Sequence, residues 1–211
     1  MIYEDLDIKE KYFDLTDKLI SRLRQDSILG RELSVIAICG ESGSGKSITA
    51  SCLKKGLTDL GIESAILHQD NYYKLPPKDN HERRKADLDW VGINEVRIDL
   101  LQQHISDYKS GCHRINRPIV DYLNNRFIEE ELDLKNTSIL IVEGVYAFLL
   151  DKLDYKIFIA RSYIDTKNDR KKRTRESYDP FVESVLQIEH QIITKLGENS
   201  DLSISKDYLL L

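Results

Sequence analysis

Apolar and polar positions alternate along this chain in two rhythms. Residues 1–30 carry Tyr12, Phe13, Leu15, Leu19, Ile20 and Leu23 at steps of three to four, with charges between them. That spacing predicts a helix, ended near Gly30. A short β-branched run follows, "LSVIAICG", which suits a strand buried on both faces. Helical spacing returns in "KSITASCLKKGLTDLG" and stops at Gly61. "ESAILHQD", "TSILIVEG" and "YKIFIAR" read as further strands, and "DLSISKDYLLL" as a last one. "GINEVRIDLLQQHISDYKSG" and "PFVESVLQIEHQIITKLG" read as helices, the second with Pro180 near its start.

Two stretches have no such rhythm. "NYYKLPPKDNHERRKADLDW" is polar, contains a Pro-Pro pair and reads as a long functional loop. "CHRINRPIVDYLNNRFIEEELDL" reads as irregular chain or a hairpin, because Pro118 argues against a central strand. "SYIDTKNDRKKRTRESYD" is charged and partly helical in pattern. Strands alternating with helices predict a three-layer α/β domain around a parallel sheet. No repeat, low-complexity tract or linker divides residues 1–211, so one domain is expected, with residues 1–29 as a helical extension.

Composition narrows the function classes. A net charge of −5, from 31 basic and 36 acidic residues, gives no general attraction to nucleic acid or anionic membrane. Cys39, Cys52 and Cys112 are odd in number and have no C-x-x-C spacing, which points away from a disulfide framework or zinc site and toward a reducing cytosol. The five histidines have no ligand spacing. The first fifteen residues are charged from Glu4 onward, unlike a signal sequence. No apolar run approaches the roughly 20 residues of a membrane span.

The chemistry begins at "GESGSGKS", Gly40 to Ser47, which fits G-x-x-x-x-G-K-[ST] between a strand and a helix. Glycines allow a tight turn whose backbone N–H groups face inward around an anion. The following helix adds its positive end. Gly40, Glu41, Ser42, Gly43, Ser44, Gly45, Lys46, Ser47 and Ile48 are therefore the expected nucleotide contacts, with Lys46 on the β/γ-phosphates and Ser47 on Mg²⁺. The motif fits ATP or GTP and does not by itself separate a kinase from a GTPase.

Asp70 ends the second strand, where open α/β sheets keep their sites, and a carboxylate there can take a proton from an attacking hydroxyl. Turn-capping is the ordinary role of such an aspartate. Glu143 ends the third strand, as the acid that holds the metal or its water would. "RKKRTR", Arg170 to Arg175, is either a solvated helix face or a lid whose arginines close on the transferring group. The GTPase signatures D-x-x-G and N-K-x-D are missing at the matching places. Trp90 suits a loop anchor or a base-packing ring, and Glu189 a structural or interface residue.

The ordered set "GESGSGKS", "HQDNYYK", "LDW", "RPIVDYLNNR", "ILIVEGVYAF", "DTKNDRKKRTRE" and "SISKDY" resembles the uridine kinase and phosphoribulokinase group of P-loop kinases, over residues 33 to 208. The resemblance implies a five-stranded parallel sheet in the order 2-3-1-4-5, a helical lid, and a small hairpin over the substrate. It implies an ATP- and Mg²⁺-dependent transfer to a small-molecule alcohol, first of all the 5′-hydroxyl of a uridine- or cytidine-like nucleoside. Nicotinamide riboside, a ribulose phosphate type of acceptor or another sugar-like alcohol is the alternative; a nucleotide-binding protein without kinase activity is a further one. Asp70 matches the general base, Tyr73 an aromatic residue beside the nucleoside, and Asp89 the aspartate on the ribose hydroxyls, with Asp87 close by. Glu143 matches the Mg²⁺-associated acid; Arg170, Arg173 and Arg175 fall in the lid. A homo-oligomer is plausible on the same ground.

The chain departs from the family pattern at the base-reading segment. Val120 stands at the family's tyrosine position, and Asn124 or Asn125 at its histidine position. Valine loses stacking and hydrogen bonding, whereas Asn125 can still donate and accept. The ribose and phosphate machinery is expected to outlast the base contacts.

Overall fold

The computed structural model describes residues 10–168 and 180–211. Its parallel sheet contains β1 (Ser34–Gly40), β2 (Ser64–His68), β5 (Ile139–Glu143), β6 (Tyr155–Ile159) and β7 (Leu202–Ile204), in the order β2-β5-β1-β6-β7. Counting only these five strands along the chain, the order is 2-3-1-4-5, as the resemblance implied. Every residue of β1, β2 and β5 is buried. Helices on both faces leave no solvated side for a polar alternation to mark.

Among the described residues, four helices form the outer layers. On one face lie α1 (Glu10–Gln25) and α2 (Lys46–Asp59), packed on Ile36, Ile38, Ile141 and Ile157. Leu15, Leu19 and Leu23 of α1 are buried there. Gly56 lets α1 approach α2 closely, since a Cβ would stand 2.6 Å from Ile20 Cδ1 and 2.8 Å from Thr16 Cγ2. On the other face, α4 (Ile98–Lys109) and the late helix (Pro180–Gly197, here α5) cover Val35, Ala37 and Cys39 with Leu101, Ile105 and Ile193.

Two expectations are corrected. The helix expected over residues 1–30 runs from Glu10 to Gln25 within the described residues and ends before a turn with Ser27 at φ +57°. The polar stretch expected as a loop contains a helix, α3 (Pro77–Ala86), with Pro77 at its first turn. Only Asn80 of α3 is buried, so the helix has no apolar stripe to reveal it. The other arrhythmic stretch is an antiparallel hairpin, β3 (Arg114–Asp121) with β4 (Arg126–Asp133). Pro118 sits in this two-stranded ribbon and not in the main sheet.

Candidate active site

Strand register gathers the candidate residues at the carboxyl ends of three strands. Glu143 lies between Ile38 of β1 and His68 of β2. Asp70 follows two residues after His68, in a one-turn 3₁₀ helix, Gln69–Tyr72.

The phosphate loop leaves β1 at Gly40 and enters α2 at Lys46. A side chain at Gly40 would lie 2.9 Å from both the Ile159 carbonyl and Ser44 Oγ. Gly45 has φ +106° and no side chain caps α2. The first N–H groups of α2 have no intrahelical acceptor and stand available to an anion. Lys46 Nζ donates to the Glu41 carbonyl at 3.0 Å, which folds the side chain across the loop. Ser47 Oγ donates to Glu143 Oε1 at 3.0 Å, and His68 Nδ1 lies 2.7 Å from the same oxygen. The backbone cradle, one ammonium and a hydroxyl–carboxylate pair fit a triphosphate and a hard divalent cation. Ser44 Oγ is buried and without a partner among the described residues.

The two carboxylates differ in environment. Burial pushes Glu143 up, but the His68 hydrogen bond and charge, Lys46 and Ser47 outweigh it and hold the carboxyl below its usual value. Asp70 stands open to the cleft, yet protein surrounds its carboxyl. That enclosure pushes it up, the Glu143 charge pushes it further, and Lys46, His68 and Arg84 only partly offset them. One carboxylate is thus kept ionised while its neighbour is made the better proton acceptor.

Glu41 was expected among the nucleotide contacts, and its side chain has another role. It is buried; Oε2 accepts from the Tyr163 backbone N–H at 2.6 Å and Oε1 lies 2.7 Å from His190 Nδ1. Thr166 Oγ1 donates to the Ser42 carbonyl at 3.2 Å. The phosphate loop therefore holds the chain after β6 and also α5. Arg170, Arg173 and Arg175 lie outside the described residues.

Tyr73, three residues after Asp70, is half-buried with the Arg84 guanidinium 5.7 Å from its ring centre. Arg84, on α3, makes two bonds to the fully buried Glu95, at 2.6 and 2.7 Å, and a longer one to Glu189 of α5 at 3.2 Å. Asn80 Nδ2 and the Gly92 N–H complete the Glu95 carboxylate. No sequence pattern pointed to this cluster. Trp90 anchors the adjoining loop, its Nε1 donating to Asn80 Oδ1 at 2.9 Å.

Asp87 and Asp89 separate clearly. Asp87 caps the Asp89 N–H and pairs with Arg83, whereas the exposed Asp89 carboxylate has no bond among the described residues. Val120 is buried and its N–H donates to Asn71 Oδ1 at 3.0 Å. Asn125 accepts from the Lys78 N–H at 2.8 Å and donates to Asp79 at 3.0 Å, so it caps α3. Asn124 bonds to Asp121 within the hairpin turn. Among the described residues no His, Cys, Asp and Glu cluster forms a metal cage of its own, and no helix is long and apolar enough to cross a membrane.

Comparison with known proteins bears on the family and the fold. The model of the phosphoribulokinase / uridine kinase family matches residues 35–171. A uridine kinase of Leuconostoc citreum is 31% identical over 185 residues, covering 78% of this chain and 83% of its own. A bifunctional alpha-galactosidase/sucrose kinase of Mediterraneibacter gnavus is 26% identical over 82% of this chain and 20% of its own. Among solved structures, a possible uridine kinase from Bacillus stearothermophilus shares the fold at TM-score 0.62 and 18% identity, over 90% of this chain and 97% of that one. Kinases of this kind generally use ATP and Mg²⁺. The chain belongs to the phosphoribulokinase / uridine kinase family and is a phosphotransferase that acts on a hydroxyl group.

Proposed function

We propose that this kinase transfers the γ-phosphoryl group of ATP, with Mg²⁺, to a hydroxyl of a ribose-bearing acceptor, first of all the 5′-hydroxyl of a uridine- or cytidine-like nucleoside. The observation that carries the reading is the meeting of Asp70, Glu143, Lys46 and Ser47 at adjacent strand ends. ATP supplies the phosphoryl group, and Mg²⁺ would be held by Ser47 and Glu143. Asp70 takes the proton of the acceptor hydroxyl at its carboxylate oxygen. Lys46 moves from the Glu41 carbonyl to the phosphates and offsets their charge. Tyr73 and Asp89 bind the acceptor, Asp89 through paired hydroxyls.

A sugar-like acceptor is the second reading, and the hairpin favours it. Val120 has no polar side-chain group, and both Asn124 and Asn125 already bond to protein. A pyrimidine would find few free partners there, whereas a polyol still finds Asp89. The relative from Mediterraneibacter gnavus, whose name includes sucrose kinase, adds weight to this reading.

The deciding experiment is acceptor-dependent ADP release, with MgATP and a panel of ribonucleosides, pentoses, hexoses and disaccharides. Turnover of uridine or cytidine supports the first reading; turnover of sugars alone supports the second. No acceptor-dependent ADP with any polyol or nucleoside would overturn both.

A further inference from the structure

Behind the phosphate loop, two tyrosines and an arginine from distant parts of the chain meet. After β7 the chain turns back sharply. The Tyr208 N–H donates to the Ser205 carbonyl at 3.0 Å, the Ser205 N–H to the Leu209 carbonyl at 2.8 Å, and Leu210 bridges to Ile204. This turn puts Tyr208 at φ +64°, a left-handed conformation that bulky residues seldom adopt. Such a residue persists only where its surroundings over-determine it.

The contacts of Tyr208 supply that determination. Its ring is buried and meets Tyr12 of α1 edge-on, with centres 4.9 Å apart. The Arg161 guanidinium lies 5.5 Å from the ring centre. The Tyr208 hydroxyl donates to the Ser44 carbonyl at 2.8 Å, and accepts from Tyr12 OH at 3.1 Å and from Arg161 Nη1 at 3.0 Å. One donor and two acceptor sites are thereby filled. The cationic donor polarises the hydroxyl and strengthens the bond it gives to Ser44.

That bond acts on the phosphate side through one peptide plane. The Ser44 carbonyl and the Gly45 N–H belong to the same planar trans unit and point in opposite directions. Holding the carbonyl toward Tyr208 therefore turns the Gly45 N–H to the opposite side. The fit leaves no slack: a Cβ on Gly45 would lie 2.7 Å from the Tyr208 hydroxyl and 3.2 Å from that of Tyr12.

We infer that Tyr208, supported by Tyr12 and Arg161, is a positioning residue that fixes the Ser44–Gly45 peptide for phosphate binding, and that α1 thereby forms part of the nucleotide site. The inference rests on the reading of Gly40–Ser47 as an ATP loop.

The test measures MgATP and adenosine affinity in the wild type, Tyr208→Phe, Tyr12→Phe and the double variant, with thermal midpoints alongside. Tyr208→Phe should weaken MgATP roughly 10-fold, the worth of one oriented hydrogen bond beside a charge, and leave adenosine affinity unchanged. Tyr12→Phe should weaken MgATP about threefold, and the double variant should match Tyr208→Phe, because Tyr12 acts through Tyr208. A lowered midpoint with unchanged MgATP affinity would overturn the inference. So would equal losses for MgATP and adenosine, or additive losses in the double variant. Should Tyr208→Phe fail to fold, Tyr12→Phe with wild-type MgATP affinity would overturn it alone. A wild type that does not bind MgATP removes the ATP reading first, and this inference with it.

Discussion

Replacing Glu189 by glutamine should alter the pH dependence of stability in a defined direction. Glu189 is buried on α5 and faces Arg84, Glu95, Lys46 and Asp70. Burial is the main force on its carboxyl; Arg84 and Lys46 oppose it, Glu95 and Asp70 reinforce it, and the result is a value pushed up from 4.5 to about 7. The Arg84 pair does not reverse this, because the guanidinium gives its two short bonds to Glu95 and reaches Glu189 only at 3.2 Å. A carboxyl raised by folding binds its proton more tightly in the native state, so its contribution is full below the unfolded value and is lost as pH rises through about 7. Between pH 5 and pH 8 that loss is about 2 to 3 kcal/mol. Glutamine keeps an acceptor for Arg84 and has no proton to lose. The stability of wild type minus that of Glu189→Gln, from urea unfolding across this range, should therefore decline by that amount. Asp70 titrates in both proteins and largely cancels. A flat difference across this range would refute the raised value, because a carboxyl held down by Arg84 as an ordinary ionised partner changes stability only below about pH 5.

Three further variants address the site directly. Asp70→Asn should leave MgATP affinity nearly intact and lower phosphoryl transfer by roughly 10²- to 10⁴-fold. It should also abolish an acid limb that lies above the usual carboxylate range, since the base works only when deprotonated; wild-type turnover would refute the assignment. Lys46→Ala should lower nucleotide affinity and turnover together, by about 10² or more in kcat/KM, and unaffected turnover would exclude its phosphate role. Gly45→Ala places a Cβ at φ +106° against the Tyr208 hydroxyl and should cost about 1 to 3 kcal/mol, seen as a lower thermal midpoint with weakened MgATP binding. A neutral Gly45→Ala would show that this contact relaxes freely.

The sheet and the phosphate half of the site were legible because their determinants are local. Gly40 to Ser47 are consecutive, and Asp70 and Glu143 end apolar runs whose length already marks them as buried strands. Parallel register then brings those strand ends together without further instruction. The polar contacts around α3 were not legible because they span long stretches of sequence, from Arg84 to Glu189 and from Asn125 back to Asp79. Periodicity detects apolar burial, and α3 is held by a buried carboxylate. Its local signals were of another kind: Pro77 and Asp79 in the first turn, and Arg83, Arg84 and Lys85 in the last. Read as caps and dipole partners, they would have marked the helix that the missing apolar stripe concealed.

This division has a chemical consequence. The phosphate loop is tied by Glu41 and Tyr208 to the sheet's own connections, so changes there disturb nucleotide and fold together. The wall of α3 and the hairpin, the acceptor wall on the proposed reading, is instead attached through separable polar contacts: Asn125 to the start of α3, Asn71 to Val120, and Arg84 to Glu95 and Glu189. Each can be exchanged for a different pairing without moving a β-strand of the main sheet. Acceptor preference can therefore shift while Asp70, Glu143, Lys46 and Ser47 stay in register. The buried Arg84 limits that freedom, because removing Glu95, which takes its two short bonds, leaves a desolvated charge in the wall. Substitutions that retune the acceptor should accordingly fall on Asp89, Val120 and the hairpin turn before they reach the Arg84 cluster.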